Sequence, residues 1–450
     1  MNVRSATAIS SPPSASVTST DEKSFVQAMQ ALDQGNSSRA ETILKPLHAH
    51  YPHNFEINES LGLLLAGKGN IHQALPLLQA AALEEPSSDV AHLNLGTAYF
   101  KLRQTQKATQ EFERAVHLNP ANASAQAALG QAEMLLNHPE QASSAFRAAL
   151  TLDPSNSDLI YNAALAEFES GQNEKAAALL ANSSGLSQSA PAQSLYGDIE
   201  ERLANYKQAV EHYQQAVQLE PSEGNVYLLG IEFLRHWTFR AAIQEFSAGA
   251  QKFPQSQRMR RGLGIAYYGD GQYDKAIPIL ANLLAEDPDN VLDANILGRT
   301  CTVLTEGLNP KCTTLIQFAE AHPRNAMLAT YAASSILHQP SNPAGIATAE
   351  KLLRAAITAN PKLPEAQLEW GVLLQQQSKW AESIAPLEAA LRLQPDLAQA
   401  HYRLSRAYAH AGRHQEAQQQ IALNIKYTKQ QEDSLNARMK DISTFVVKMQ

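Results

Sequence analysis

The chain has 450 residues, is 44% hydrophobic but only 6% aromatic, and carries 36 basic against 44 acidic side chains, a formal charge of -8. That acidic balance is the wrong sign for a phosphate-tracking surface, so nucleic acid is not expected as a partner. A single core stops growing near ~250–300 residues, and an apolar fraction carried by Ala and Leu suits packed helices more than sandwiches or barrels, which leaves an all-α array.

Residues 1–20, MNVRSATAISSPPSASVTST, are rich in Ser, Thr, Ala and Pro and lack the apolar run of a signal peptide. They read as a disordered leader. As written the protein is soluble and cytoplasmic; a periplasmic or secreted location stays open, because such linkers also follow export signals. No run approaches the ~20 apolar residues that span a membrane, so direct membrane insertion is not expected.

Residues 21–428 are periodic. Prolines recur at 52, 86, 120, 154, 221, 254, 288, 323, 361 and 395, with gaps of 34, 34, 34, 67, 33, 34, 35, 38 and 34, the widest holding two periods. Gly62, Gly96, Gly130, Gly197, Gly230, Gly264 and Gly371 lie ahead of them, then Ala40, Ala74, Ala108, Ala142 and their successors, then Leu44, Leu78, Phe112, Phe146, Leu180, Tyr213, Phe246, Leu280, Leu353 and Leu387. Small residues let two helix backbones cross closely and large ones fill the space beside the crossing. The proline ends the second helix, having no N–H and a ring that clashes with the preceding turn. Between the helices, Gly35, Gly69, Gly171, Gly271, Gly412 or Asn137 supplies a left-handed residue that closes the first. Each period is a helix-turn-helix hairpin.

The stretch DVAHLNLGTAYFKLRQTQKATQEFERAVHLNP, residues 89–120, resembles the tetratricopeptide consensus through Leu95, Gly96, Tyr99, Ala108, Phe112, Ala115 and Pro120. The resemblance covers residues 21–428 as about twelve repeats, the first, fifth, ninth, tenth and twelfth being the most degenerate. Pentatricopeptide arrays have a period longer by one and rely on a basic surface, which this chain lacks. The resemblance implies a right-handed superhelical solenoid whose first helices line a concave groove for an extended peptide or helix. It implies no enzyme.

On the first helices of repeats seven to nine, Tyr227, Ile231, Arg235, Arg258, Arg261, Tyr268, Asn295 and Arg299, with Leu234 and Ile265, form a basic and aromatic patch. Arg with Tyr suits carboxylate-bearing segments, whereas scattered charges on a wetted groove wall need no ligand. Chaperone-binding members of the family carry a two-carboxylate clamp, but Ile265 stands where it needs asparagine. Asn94 and Asn162 resemble the asparagine ladder of sugar-transferase solenoids, interrupted by Ser60, Ala128 and Leu195. Trp237 replaces a turn glycine and is expected to pack into the next repeat.

Cys301 and Cys312 bracket one hairpin turn, where an antiparallel pair can come within disulfide reach; a bond in an oxidising compartment and two inert buried thiols are both compatible with the spacing. The run from Gly62 to Lys68 matches half of a phosphate-binding loop, but Gly69 stands where Ser or Thr must hold magnesium and no strand precedes it. His48, His50 and His53 lack a cysteine or carboxylate partner for a metal. No catalytic, cofactor or metal site is expected. Residues 429–450 carry Leu435, Met439, Ile442, Val446 and Met449 at helical spacing, which reads as a helix capping the array or as a coiled-coil seam of a homodimer. The expected function is a non-enzymatic scaffold or adaptor for a partner polypeptide, with a non-catalytic regulatory subunit of a separately encoded enzyme, such as a glycosyltransferase, as the alternative.

Overall fold

A computed structural model describes residues 18–287, 290–303, 312–338 and 343–449, with side chains described up to residue 435. The described residues are helical, without a strand, and divide into two compact units, Met1–Asn205 and Tyr206–Gln450. The first unit holds α1 (Ser19–Asp33), α2 (Ser37–His50), α3 (Phe55–Gly67), α4 (Ile71–Glu84), α5 (Asp89–Lys101), α6 (Thr105–Leu118), α7 (Ala123–Leu135), α8 (Pro139–Leu152), α9 (Ser157–Glu169), α10 (Asn173–Ala181) and α11 (Ala190–Arg202). The second holds α12 (Tyr206–Leu219), α13 (Glu223–Arg235), α14 (Phe239–Lys252), α15 (Gln257–Gly269), α16 (Tyr273–Glu286), α17 (Val291–Val303), α18 (Cys312–Ala321), α19 (Ala326–Leu337), α20 (Pro343–Ala359), α21 (Pro364–Gln376), α22 (Ile384–Leu393), α23 (Ala398–His410) and α24 (His414–Met449). Within each unit, sequential helices pack as antiparallel pairs, and each pair stacks on the next.

The glycine and large-residue series meet as the period requires. A Cβ built on Gly96 would lie 2.6 Å from the Phe112 ring, one on Gly130 2.8 Å from Phe146, and one on Gly371 2.6 Å from Leu387. These approaches bury Phe112, Phe146 and Leu387 almost completely, and each such side chain contributes about 1.5–3 kcal/mol of burial. The Gly62–Lys68 run falls within this scheme: it lies on α3 and its C-cap, and a Cβ added to Gly62 would stand 2.8 Å from Leu78.

The hairpin turns hold the left-handed residue at Gly35, Gly69, Gly171, Gly271, Gly412 and Asn137. Arg103, Ala204, Trp237 and Ser378 adopt the same conformation, with φ between 54° and 61°. Sequence alone did not mark Arg103, Ala204 or Ser378, because the geometry is imposed by hydrogen bonding: the N–H of Gln104 reaches the Tyr99 carbonyl at 3.0 Å and that of Lys379 reaches Leu374 at 2.8 Å, closing the helix end as a Schellman motif. A second unmarked series caps the first helices. Asn54, Ser88, Asn122 and Asn156, each two residues past a proline, accept from the backbone N–H groups of Ile57, Ala91, Ala125 and Leu159 at 3.0–3.2 Å.

Two boundaries differ from expectation. Thr18 accepts from the Asp21 N–H and caps α1, so helix begins inside the stretch expected as a leader, whose residues 1–17 lie outside the described ones. At the other end, α24 runs unbroken for 36 residues, because neither Pro nor Gly interrupts it after Gly412. Residues 429–449 therefore continue the last helix without a break. Residues 339–342 lie outside the described residues.

Candidate partner-binding surface

The expected patch sits on three first helices of the second unit: Tyr227, Ile231 and Arg235 on α13, Arg258, Arg261 and Tyr268 on α15, and Asn295 and Arg299 on α17. Helix α15 touches both α13 and α17, so the structure brings these residues onto adjoining walls.

The arginines were expected as cations open to a ligand, and the structure engages every one of them. Arg261 donates in a bidentate fork to Asp293, at 2.6 and 2.8 Å, and that carboxylate is fully buried. These hydrogen bonds push the Arg261 guanidinium above its ordinary range. Arg258 donates to Glu223 at 2.6 Å while its guanidinium lies 5.1 Å from the centre of the Tyr227 ring. Hydrogen bonds from Ser256 and then Arg258 hold the Glu223 carboxyl below its ordinary range. Arg235 pairs with buried Glu232 at 2.9 Å, and Arg299 donates to the Tyr331 hydroxyl at 3.2 Å, which raises its pKa. For Arg258, Arg261 and Arg299 the physical reason is the period itself, since positions one repeat apart on neighbouring first helices meet side by side, whereas Arg235 pairs within its own helix.

Asn295 is different. Its Oδ1 is buried and has no hydrogen-bond partner among the described residues. A buried acceptor left open costs about 1–3 kcal/mol relative to a paired one, so the wall between Arg261 and Arg299 holds a polar site that folding does not complete.

Trp237 occupies its turn at φ 54° and lies 6.3 Å from the Phe239 ring. It also faces α24 across a hollow of about 420 Å³ lined by Asp396, Tyr427, Gln430 and Leu435. Cys301 and Cys312, at the end of α17 and the start of α18, are joined in a disulfide with Cα atoms 5.9 Å apart; both are buried, and the turn between them lies outside the described residues. His48 is not grouped with His50 and His53 for a metal: its Nδ1 contacts Asn58 Oδ1 at 2.7 Å, and His53 lies 3.7 Å from Glu84.

One cluster escaped the sequence reading. The indole of Trp380 stacks on His410 with ring centres 3.7 Å apart, and the Arg406 guanidinium lies 5.2 Å from that indole. Arg403, one turn earlier on α23, is pushed down by burial, opposed by the charge of Glu369, and its Nε has no partner. The signal was present as Arg403, Arg406 and His410 spaced three and four apart, one helix face of the last hairpin.

Stacked antiparallel helix pairs with small residues at each crossing define a helical-repeat protein, in which every hairpin is stabilised by its neighbours. Models described as tetratricopeptide repeat match residues 25–91, 93–157, 127–187 and 368–423, residues 238–296, and residues 190–223. The chain belongs to the tetratricopeptide-repeat family. A search of curated proteins found no match. Among solved structures, a tetratricopeptide repeat protein from Parabacteroides merdae is 17% identical with a TM-score of 0.40, over 55% of this chain and 99% of that one. The pilus biogenesis factor PilW is 19% identical with a TM-score of 0.40, over 46% and 96%, and the APC/C hetero-tetramer Cut9-Hcn1 is 13% identical with a TM-score of 0.35, over 92% and 88%. The family models, not these structures, place the chain. No described helix is long and apolar enough to cross a membrane.

Proposed function

We propose that this chain is a non-enzymatic scaffold that holds a partner polypeptide against the first helices of its second unit, with Asn295 as a contact to the partner backbone. The observation that supports the reading is the open, buried Asn295 oxygen on a wall whose arginines are already held in place. An extended segment carries a backbone N–H every residue, and a turn of the Asn295 side chain toward the groove brings its oxygen to one of them. The arginines then shape the wall and the aromatic Tyr227 and Tyr268 supply contact area.

Replacing Asn295 with Leu tests this, because it moves stability and binding in opposite directions. Removing an unsatisfied buried acceptor leaves the unfolding midpoint unchanged or raises it. Loss of the contact weakens retention of partner polypeptides on the immobilised full chain by about tenfold, equivalent to ~1.4 kcal/mol. Equal retention by Asn295→Leu and wild type removes this wall from the proposal, and a wild-type chain that retains no polypeptide removes the scaffold reading altogether.

A further inference from the structure

The helix α24 presents a half-exposed apolar side at Ile421 and Ile425 that no other described helix stacks upon, with Leu435 at the rim of the hollow that faces Trp237. In earlier hairpins the large residue of the second helix, from Leu44 and Leu78 through Phe246 to Leu387, is at most 5% exposed, because the following hairpin stacks on it. Its counterpart here, Ile421, is 46% exposed, and Ile425 and Leu435 are 61% and 49% exposed. At 100° per residue these three fall within one side of the helix, together with Thr428 and Glu432. The surface thus continues the stacking interface used along the rest of the array.

Its length sets what can cover it. The helix has 36 residues, about 54 Å at 1.5 Å per residue, and no other described helix exceeds 17. A following first helix of about a dozen residues would leave most of α24 open. Among the described helices, only another α24 matches it.

We propose that α24 is a homodimerisation surface, on which a second copy of this chain lays its own α24 antiparallel about a twofold axis beside Gln430. The sequence is self-complementary about that point. Ile425 falls opposite Leu435 of the second copy, and Thr428 falls opposite Glu432, where a hydroxyl donates to a carboxylate. Lys429 lies one residue from the opposing Glu432, and Lys426 one residue from the opposing Asp433. In an isologous pair each of these contacts occurs twice. Among the described residues Lys429, Glu432 and Asp433 are exposed and have no ion pair within the chain, which leaves them available for it. The dimer surface is separate from the wall around Asn295, so it stands whether or not that wall binds a partner.

Light scattering and sedimentation of the full chain test the proposal. The wild type is expected at twice its 49.0 kDa mass, and Ile425→Lys at the monomer mass with unchanged helix content by circular dichroism. Lys429→Glu alone and Glu432→Lys alone each weaken the dimer about five- to tenfold, while the double variant Lys429→Glu with Glu432→Lys restores it by exchanging the partners. A wild type that stays monomeric at ~100 μM overturns the proposal, as does an Ile425→Lys chain that remains dimeric. A double variant no better than the singles overturns the antiparallel register.

Discussion

Phe246 is held between two glycines, and the confinement gives a number to test. It is fully buried, and two glycines lie against it: a Cβ added to Gly230 would stand 2.5 Å from Cζ, and one added to Gly262 would stand 2.4 Å from Cε1 and 2.5 Å from Cζ. A carbon pair at its optimum lies about 3.5–4.0 Å apart, so one added methyl demands that ring or backbone move by roughly 1 Å. The ring cannot yield, since retreat from one glycine drives it toward the other. Gly262→Ala is therefore expected to cost about 2–3 kcal/mol, the upper part of the range for overpacking. With an m-value of about 2 kcal/mol/M, the urea midpoint of the transition reporting this region falls by roughly 1 M. The variant Phe246→Leu, destabilising alone, removes the ring that the methyl strikes, so the pair should be less damaging than the sum of the singles by about 1–2 kcal/mol. Urea titrations followed by far-ultraviolet circular dichroism on the four chains of this cycle decide it. Gly262→Ala at the wild-type midpoint, or strict additivity with Phe246→Leu, would refute the packing argument.

Arg103→Gly should stabilise the chain by up to ~1 kcal/mol, since the left-handed conformation at φ 61° strains any residue with a Cβ; a lower thermal midpoint would count against the turn geometry. Arg261→Ala strands the fully buried Asp293 and should cost about 3–5 kcal/mol, so loss of binding in that variant accompanied by an unchanged denaturant midpoint would contradict the pairing. Titration of unfolded protein with a thiol reagent should find no free thiol until reductant is added, and reduction should lower stability by about 3 kcal/mol for so short a loop; two thiols without reductant would contradict the Cys301–Cys312 bond. Hydrogen bonds from Lys45 and then Lys68 hold the partly buried Glu41 carboxyl down at about 2. A depressed acid contributes stability above its unfolded pKa and loses it as pH falls through the folded one, so the contribution fades between about pH 4.5 and 2. Glu41→Gln should flatten the stability–pH curve across that window, as read from thermal midpoints.

The array was legible because its signals are repeated: Gly96 with Phe112 and Pro120 says little once, but the same trio 34 residues on, as Gly130, Phe146 and Pro154, fixes a hairpin. The turn glycines were legible for a local reason, and Arg103 and Ser378 were not, since there the hydrogen bonds of the turn impose what composition does not announce. The caps at Asn54, Ser88, Asn122 and Asn156 were as periodic as the prolines and could have been read by looking two residues further. The patch on α13, α15 and α17 was legible as a set of neighbours but not as chemistry. Counting residues on helices says which side chains share a wall; it does not say that Arg261 and Asp293, 32 positions apart, consume one another. That depends on the lateral register of two first helices, which only the packed structure supplies.

The same register bears on how such a wall can evolve specificity. A charge on one first helix that has a complement one repeat later is drawn into the lattice of the array, and its removal is felt as lost stability, as at Arg261. A residue without a complement at that spacing is left for a ligand, as proposed at Asn295, or for a second chain, as proposed at Lys429 and Glu432. Recognition in this protein is therefore sought where the lateral pairing fails. Among the described residues, the places where it fails include the unpaired Asn295 oxygen on α17 and the half-exposed apolar side of α24. Of these, α24 is the one where the failure is imposed by topology: a stacked array must end, and the residue that every earlier hairpin buries becomes, at Ile421, a surface.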